Sequence, residues 1–199
     1  MVANEKIVTP DKKNAMTFGA QGIEISEYSE DYPALNVAAT ILGGGFLNSR
    51  IADRLRQKDG VSYGAGGGLS ADSDKDDQNS QLYIYAIYNP DNLDKVQLGF
   101  KEEIQRFIDD GITEEELTNA VNGWIEGQNV SRANDGELSS LINNNIYYGR
   151  GMQFHKDMED KVASLTVEDV NRVIRKYLKP YEEWTVVNAG DFKETPGSK

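Results

Sequence analysis

Leu42-Gly43-Gly44-Gly45-Phe46-Leu47-Asn48-Ser49-Arg50-Ile51-Ala52-Asp53-Arg54-Leu55-Arg56-Gln57-Lys58-Asp59-Gly60-Val61-Ser62-Tyr63-Gly64 is the stretch on which the reading of this chain turns. Three consecutive glycines end any helix before them, because residues without a Cβ leave the helical region easily and permit a sharp reversal. From Ser49 to Lys58 the apolar Ile51 and Leu55 return at helical spacing among arginines, so the stretch is expected to form a helix-turn-helix corner.

Working towards the amino terminus, Tyr32 to Leu42 reads as a buried helix, with Pro33 suited to its first turn and Leu35, Ala38, Ala39 and Leu42 as its apolar stripe. Ala15 to Ser26 reads as an irregular strand with Ile23 and Ile25 on one face. Residues 1–14, which include Pro10, Asp11, Lys12, Lys13 and Asn14, carry little apolar content and are expected to be a linker or loosely held lead-in.

Working outward the other way, Ser62 to Ala71 and Gln81 to Tyr88 are expected to pair as antiparallel strands about a polar Asp/Ser/Asn tip. In the second of them Leu82, Ile84 and Ala86 alternate with Tyr83, Tyr85 and Ile87. Asn92 to Asp110 has the clearest helical period, through Leu93, Val96, Phe100, Ile104 and Phe107, and Gly111 closes it. Thr113-Glu114-Glu115-Glu116 is a capping box that opens a helix expected to run to Ile146 with a break near Gly136. Thr166-Val167-Glu168-Asp169 opens another, which Pro180 ends; a last strand is expected from Glu183 to Ala189, and residues 193–199 are expected to be a tail. Strands early and late with helices between them give an α+β class, a two-layer sandwich of a mainly antiparallel sheet packed by helices, in a single domain over residues 15–192.

With 199 residues and 38% hydrophobic content the chain can bury a core without disulfides. A net charge of -12 repels phosphate backbones, so nucleic acid is not an expected partner. No stretch approaches the ~20 apolar residues of a membrane span, and Met1 is followed by polar sequence, so no membrane insertion is expected of this chain. Cysteine is absent, which excludes disulfides and thiolate sites and fits either the cytoplasm or an envelope compartment.

The one histidine, His155, cannot form H-E-x-x-H or its inverse, so the chain has no expected metal site of its own and His155 reads as a surface or cap residue. Asp72-Ser73-Asp74-Lys75-Asp76-Asp77 spaces carboxylates as a calcium loop does, but lacks the glycine at the sixth position and has Tyr83 in place of the glutamate at the twelfth. It reads as a solvated hairpin tip. Gly64, Gly66, Gly67 and Gly68 match no phosphate-loop spacing and enter a strand, where glycine lets another backbone come close. The carboxylates at Glu102, Glu103 and Glu114 to Glu116 read as solvated helix faces.

The run from Asp31-Tyr32-Pro33-Ala34-Leu35 through Gly43-Gly44-Gly45, Ser49-Arg50-Ile51, Leu55-Arg56 and Gly60 to Tyr63 resembles the carboxy-terminal domain signature of insulinase/pitrilysin-type zinc metallopeptidases. Gly111-Ile112-Thr113-x-x-Glu116-Leu117 and Leu165-Thr166-x-x-Asp169-Val170 resemble the same family further along, so the likeness spans most of the chain. The resemblance implies a half domain like that of mitochondrial processing peptidase, free of zinc. It further implies a catalytic half, in the same polypeptide or a separate subunit, that binds the zinc cofactor and closes with this one around a peptide or unfolded protein. Arg56 and Tyr63 match the family's pair that reaches the substrate, which implies substrate binding for both and transition-state stabilisation for Tyr63. On spacing alone, Tyr63 equally begins a core strand and Arg56 equally caps a helix end. A non-catalytic scaffold or partner subunit of the same fold, like the respiratory-complex core subunits, is the chief alternative, and an unrelated acidic binding domain the third. A bacterial periplasm or envelope is the expected compartment, with the cytoplasm as the other choice.

Overall fold

Strict alternation in one strand sets the two sides of the sheet. In β2 (Ala15–Ile23) Ala15, Thr17, Gln21 and Ile23 are buried, whereas Met16 and Phe18 are 41% and 38% exposed. Successive side chains of a strand point to opposite faces, so one face of the sheet is packed and the other open. The computed structural model, which describes residues 2–45 and 48–192, sets β2 at the centre of a five-stranded sheet. Its companions are β1 (Asn4–Val8), β3 (Ser62–Ser70), β4 (Ser80–Tyr88) and β5 (Thr185–Gly190), in the order β1-β5-β2-β4-β3. β1 and β5 run parallel and the other neighbours antiparallel.

Helices α1 (Tyr32–Ala39), α2 (Arg50–Ala52), α3 (Leu93–Asp110), α4 (Glu114–Ala133), α5 (Asp135–Tyr147), α6 (Met152–Ala163) and α7 (Val167–Tyr177) make the second layer. α3 buries Val96, Phe100, Ile104 and Phe107, and α7 buries Val170, Val173 and Ile174, each set at helical spacing. They join Leu35 of α1, Ile84 and Tyr88 of β4 and Trp184 in one core, where each large side chain contributes roughly 1.5–3 kcal/mol. A polar ladder runs out of that core across four strands to the exposed Asn4. Tyr88 pairs with the Thr17 hydroxyl at 2.6 Å, Thr17 donates to Asn188 Oδ1 at 2.7 Å, and Asn188 Nδ2 donates to Asn4 Oδ1 at 3.2 Å.

The α+β sandwich stands, and several boundaries change. The expected lead-in at residues 1–14 contains β1, a ladder strand whose five side chains are all exposed. Backbone pairing to β5 holds it, together with Asn188, and neither leaves a trace in apolar periodicity. The helix expected over Tyr32 to Leu42 stops at Ala39 and widens into a π-type turn at Thr40–Gly44; the one expected over Ser49 to Lys58 is α2 followed by a second π-type turn at Asp53–Lys58. The long helix divides at Asn134, ahead of Gly136, because the Asn134 side chain accepts from the Gly136 and Glu137 N–H groups and so caps α5. α6 was not foreseen; only Met158 and Val162 of it are buried. Phe46 and Leu47 of the glycine-rich stretch, and the tail expected at 193–199, lie outside the described residues.

Candidate functional site

The corner seen in the sequence is built by close backbone contact. A Cβ on Gly43 would lie 2.5 Å from the Gly67 nitrogen, so the turn can seat itself on β3 only with glycine at 43, while a Cβ on Gly67 would lie 2.4 Å from the Tyr83 carbonyl oxygen of β4. Ser49 then caps α2, its hydroxyl accepting from the Ala52 N–H.

Three arginines follow at close spacing, and the structure separates them. Arg50 donates from Nε and Nη2 to the two oxygens of Glu116, at 2.6 and 2.8 Å, and from Nη2 to the Gly111 carbonyl at 2.7 Å. Burial would raise the Glu116 carboxyl, but these bonds and those from Thr113 outweigh it and hold the group low. Arg54 bonds Asp59 and Glu102, each at 2.7 Å. Arg56, in contrast, has no hydrogen-bond or ion-pair partner among the described residues and is half-buried. The Val61 N–H donates to the Leu55 carbonyl at 3.0 Å, so Arg56 sits at the end of the turn where β3 begins.

Tyr63 lies at that same end, in a β-bulge. Ser62 pairs with Tyr88 and Gly64 with Ile87, which leaves Tyr63 as an extra residue between adjacent partners. The Ser62 hydroxyl braces the irregularity, accepting from the Gly64 N–H at 3.2 Å and lying 2.8 Å from the Ile87 carbonyl, to which it donates. A bulge re-aims a side chain, and here the Tyr63 ring is 57% exposed with its hydroxyl unpartnered among the described residues. The core-strand reading of Tyr63 is therefore overturned for its side chain. Ser62 is the residue of this site that sequence reasoning missed; its type is ordinary for a strand edge, and its role appears only once the register is known.

His155 does not cap a helix, and it keeps part of its surface exposed. It sits partly buried in α6, with Nε2 2.8 Å from Asn145 Oδ1 and its pKa lowered by burial and by neighbouring Arg150. Arg150 is itself paired with Glu27 and stacked on Phe154, so the cluster ties the start of α6 to the loop after β2. Among the described residues no group of His, Cys, Asp or Glu side chains is placed to hold a metal ion, and a lone histidine engaged with an amide does not fit a zinc site. In the hairpin tip the Asp72 and Asp74 carboxylates accept from the N–H groups of Asp74 and Asp76, which accounts for their alternation.

The model of the peptidase M16 inactive domain matches residues 3–123. An uncharacterised zinc protease of Streptomyces coelicolor is 29% identical over 168 residues, covering 83% of this chain and 35% of that protein. A non-peptidase homologue of Helicobacter pylori is 19% identical over 174 residues, covering 87% and 39%. The crystal structure of a peptidase M16 inactive domain from Pseudomonas fluorescens superimposes with a TM-score of 0.81 at 21% identity, covering 96% of this chain and 44% of that one. The chain thus spans less than half the length of these relatives. With the family model matching most of the chain and the same fold in a solved inactive domain, the chain belongs to the peptidase M16 family as its inactive domain.

Proposed function

We propose that this chain is the zinc-free, substrate-facing wall of a zinc endopeptidase, set opposite a catalytic half that holds the metal, with peptides or unfolded proteins as substrates. The observation that carries the reading is the start of β3, where a bulged, exposed Tyr63 accompanies Arg56, the arginine of its segment with no partner among the described residues. As water adds to a peptide carbonyl its oxygen becomes anionic, and a phenol held still by a bulge is a suitable donor to it. The Arg56 guanidinium presents a planar fork for a substrate carbonyl or carboxylate. Zinc belongs to the other half in this reading, because the described residues of this chain do not fit it.

In the complete protein, Tyr63→Phe is expected to lower turnover of a quenched peptide by roughly 10²-fold, the usual cost of one such donor, with zinc content unchanged. Full activity in that variant would retire the role. The Helicobacter relative named a non-peptidase homologue favours a second reading, a scaffold or partner subunit without activity. A folded complete protein with neither zinc nor cleavage would select it.

A further inference from the structure

α4 and α5 sit lightly on the rest of the molecule. Of the 20 residues of α4 only Leu117 is buried, and of the 13 of α5 only Asn145. Helices that bury so little of their inner faces stand off from their neighbours, and between them and α1, α6 and the loop after β2 lies a cavity of about 240 Å³. Helical spacing sets its walls. Tyr32 and Asn36 of α1 lie one turn apart, as do Trp124 and Gln128 of α4, and both pairs border the same space. All four are half-buried. Among the described residues, the Tyr32 hydroxyl, the Trp124 indole N–H and the side-chain amides of Asn36 and Gln128 have no hydrogen-bond partner.

The charge balance of this space decides what it can hold. Among the described residues Glu27 is the one acid or base on its border besides His155, and its carboxylate is paired with Arg150. His155 is engaged with Asn145, and burial and Arg150 favour its neutral form. A ligand ammonium would have to displace the Arg150 guanidinium from Glu27, and a ligand carboxylate would meet Glu27 with no cation of its own. An uncharged ligand meets neither cost. What the walls offer it are two carboxamides, each a donor beside an acceptor, and the rings of Tyr32, Trp124 and Phe154. The volume lies below the roughly 300–1,000 Å³ of pockets for larger ligands, so it suits a single ring with one substituent. We infer that the crevice between α1 and α4 binds a small, flat, uncharged molecule carrying an amide, its ring against Trp124 and its amide paired with the side chains of Asn36 and Gln128. Neither Arg56 nor Tyr63 borders the crevice, so the inference is independent of the wall reading.

Three probes with the same ring and different charge test it: benzamide, benzoate and benzylammonium. Each is titrated into the ¹⁵N-labelled 199-residue chain and followed by NMR. Benzamide is expected to shift the Trp124 indole N–H and the side-chain amides of Asn36 and Gln128 saturably, with Kd of about 1 mM, as befits a fragment. Benzoate and benzylammonium are expected to bind at least about fivefold more weakly. Asn36→Ala and Gln128→Ala are each expected to weaken benzamide about three- to tenfold, the worth of one hydrogen bond. Both place alanine within a helix, which preserves the fold, and if Asn36→Ala disturbs the spectrum Gln128→Ala carries the test alone. A folded spectrum that benzamide leaves unmoved, equal affinity for all three probes, shifts centred on the open face of the sheet, or undiminished binding by Gln128→Ala would each overturn the inference.

Discussion

Asp31 is buried and gathers three donors from α7: Arg172 and Lys176 at 2.7 Å and the Tyr177 hydroxyl at 2.9 Å. Burial alone would raise its carboxyl, but the bonds from Lys176, Arg172 and Tyr177 win and hold it at about 2. The folded state therefore favours the ionised form more than the unfolded chain does. The stabilisation is complete above the ordinary aspartate range near pH 4 and is lost as pH falls through about 2. Because both cations are half exposed, its worth is at most about 2 kcal/mol. Asp31→Asn is expected to lower stability in urea by up to that amount at pH 7 and to flatten the decline between pH 4 and 2; an unchanged acid limb would show that other carboxylates govern it.

At the scale of elements, the Arg50 fork joins two motifs that lie 61 residues apart in sequence, the glycine corner and the turn that opens α4. Glu116 serves both sides, since it also accepts from the Thr113 N–H and completes the capping box. Arg50→Ala leaves a partly buried carboxylate and the Gly111 carbonyl without their donor, and is expected to cost roughly 2–3 kcal/mol. Arg50→Lys is expected to recover little of it in thermal unfolding, because an ammonium cannot bond both oxygens in the plane. Full recovery by lysine would mean that charge, and not the fork, holds the two motifs together. Both motifs were legible in the sequence, and so were Arg56 and Tyr63, but their physical relation was not. Spacing identifies a capping box; it does not say that an arginine from another motif also holds its glutamate. The bulge was hidden for the same reason, since Ser62 acts through the register of β3 against β4. β1 escaped because its pairing uses main-chain atoms and Asn188, and α6 because two buried side chains make a weak stripe.

For the molecule as a whole, the order β1-β5-β2-β4-β3 means that the last strand in the chain sits between the first two. Asn4 is registered with Val186 and Met16 with Ala189, so the sheet closes through its most distant residues. Contacts of such separation form late, because the whole intervening chain must be ordered to bring them together. A chain ending at Lys179 loses β5 and Trp184, and is expected to be degraded quickly in limited proteolysis, with cleavage in residues 2–14 first; resistance equal to the parent would show that β1 and β2 hold without it. A ribosome making this protein therefore holds an unfinished sheet almost to the end of the reading frame for this domain. β2 waits with one side unpaired, and a chaperone or the nascent protein's neighbours have that interval in which to occupy it.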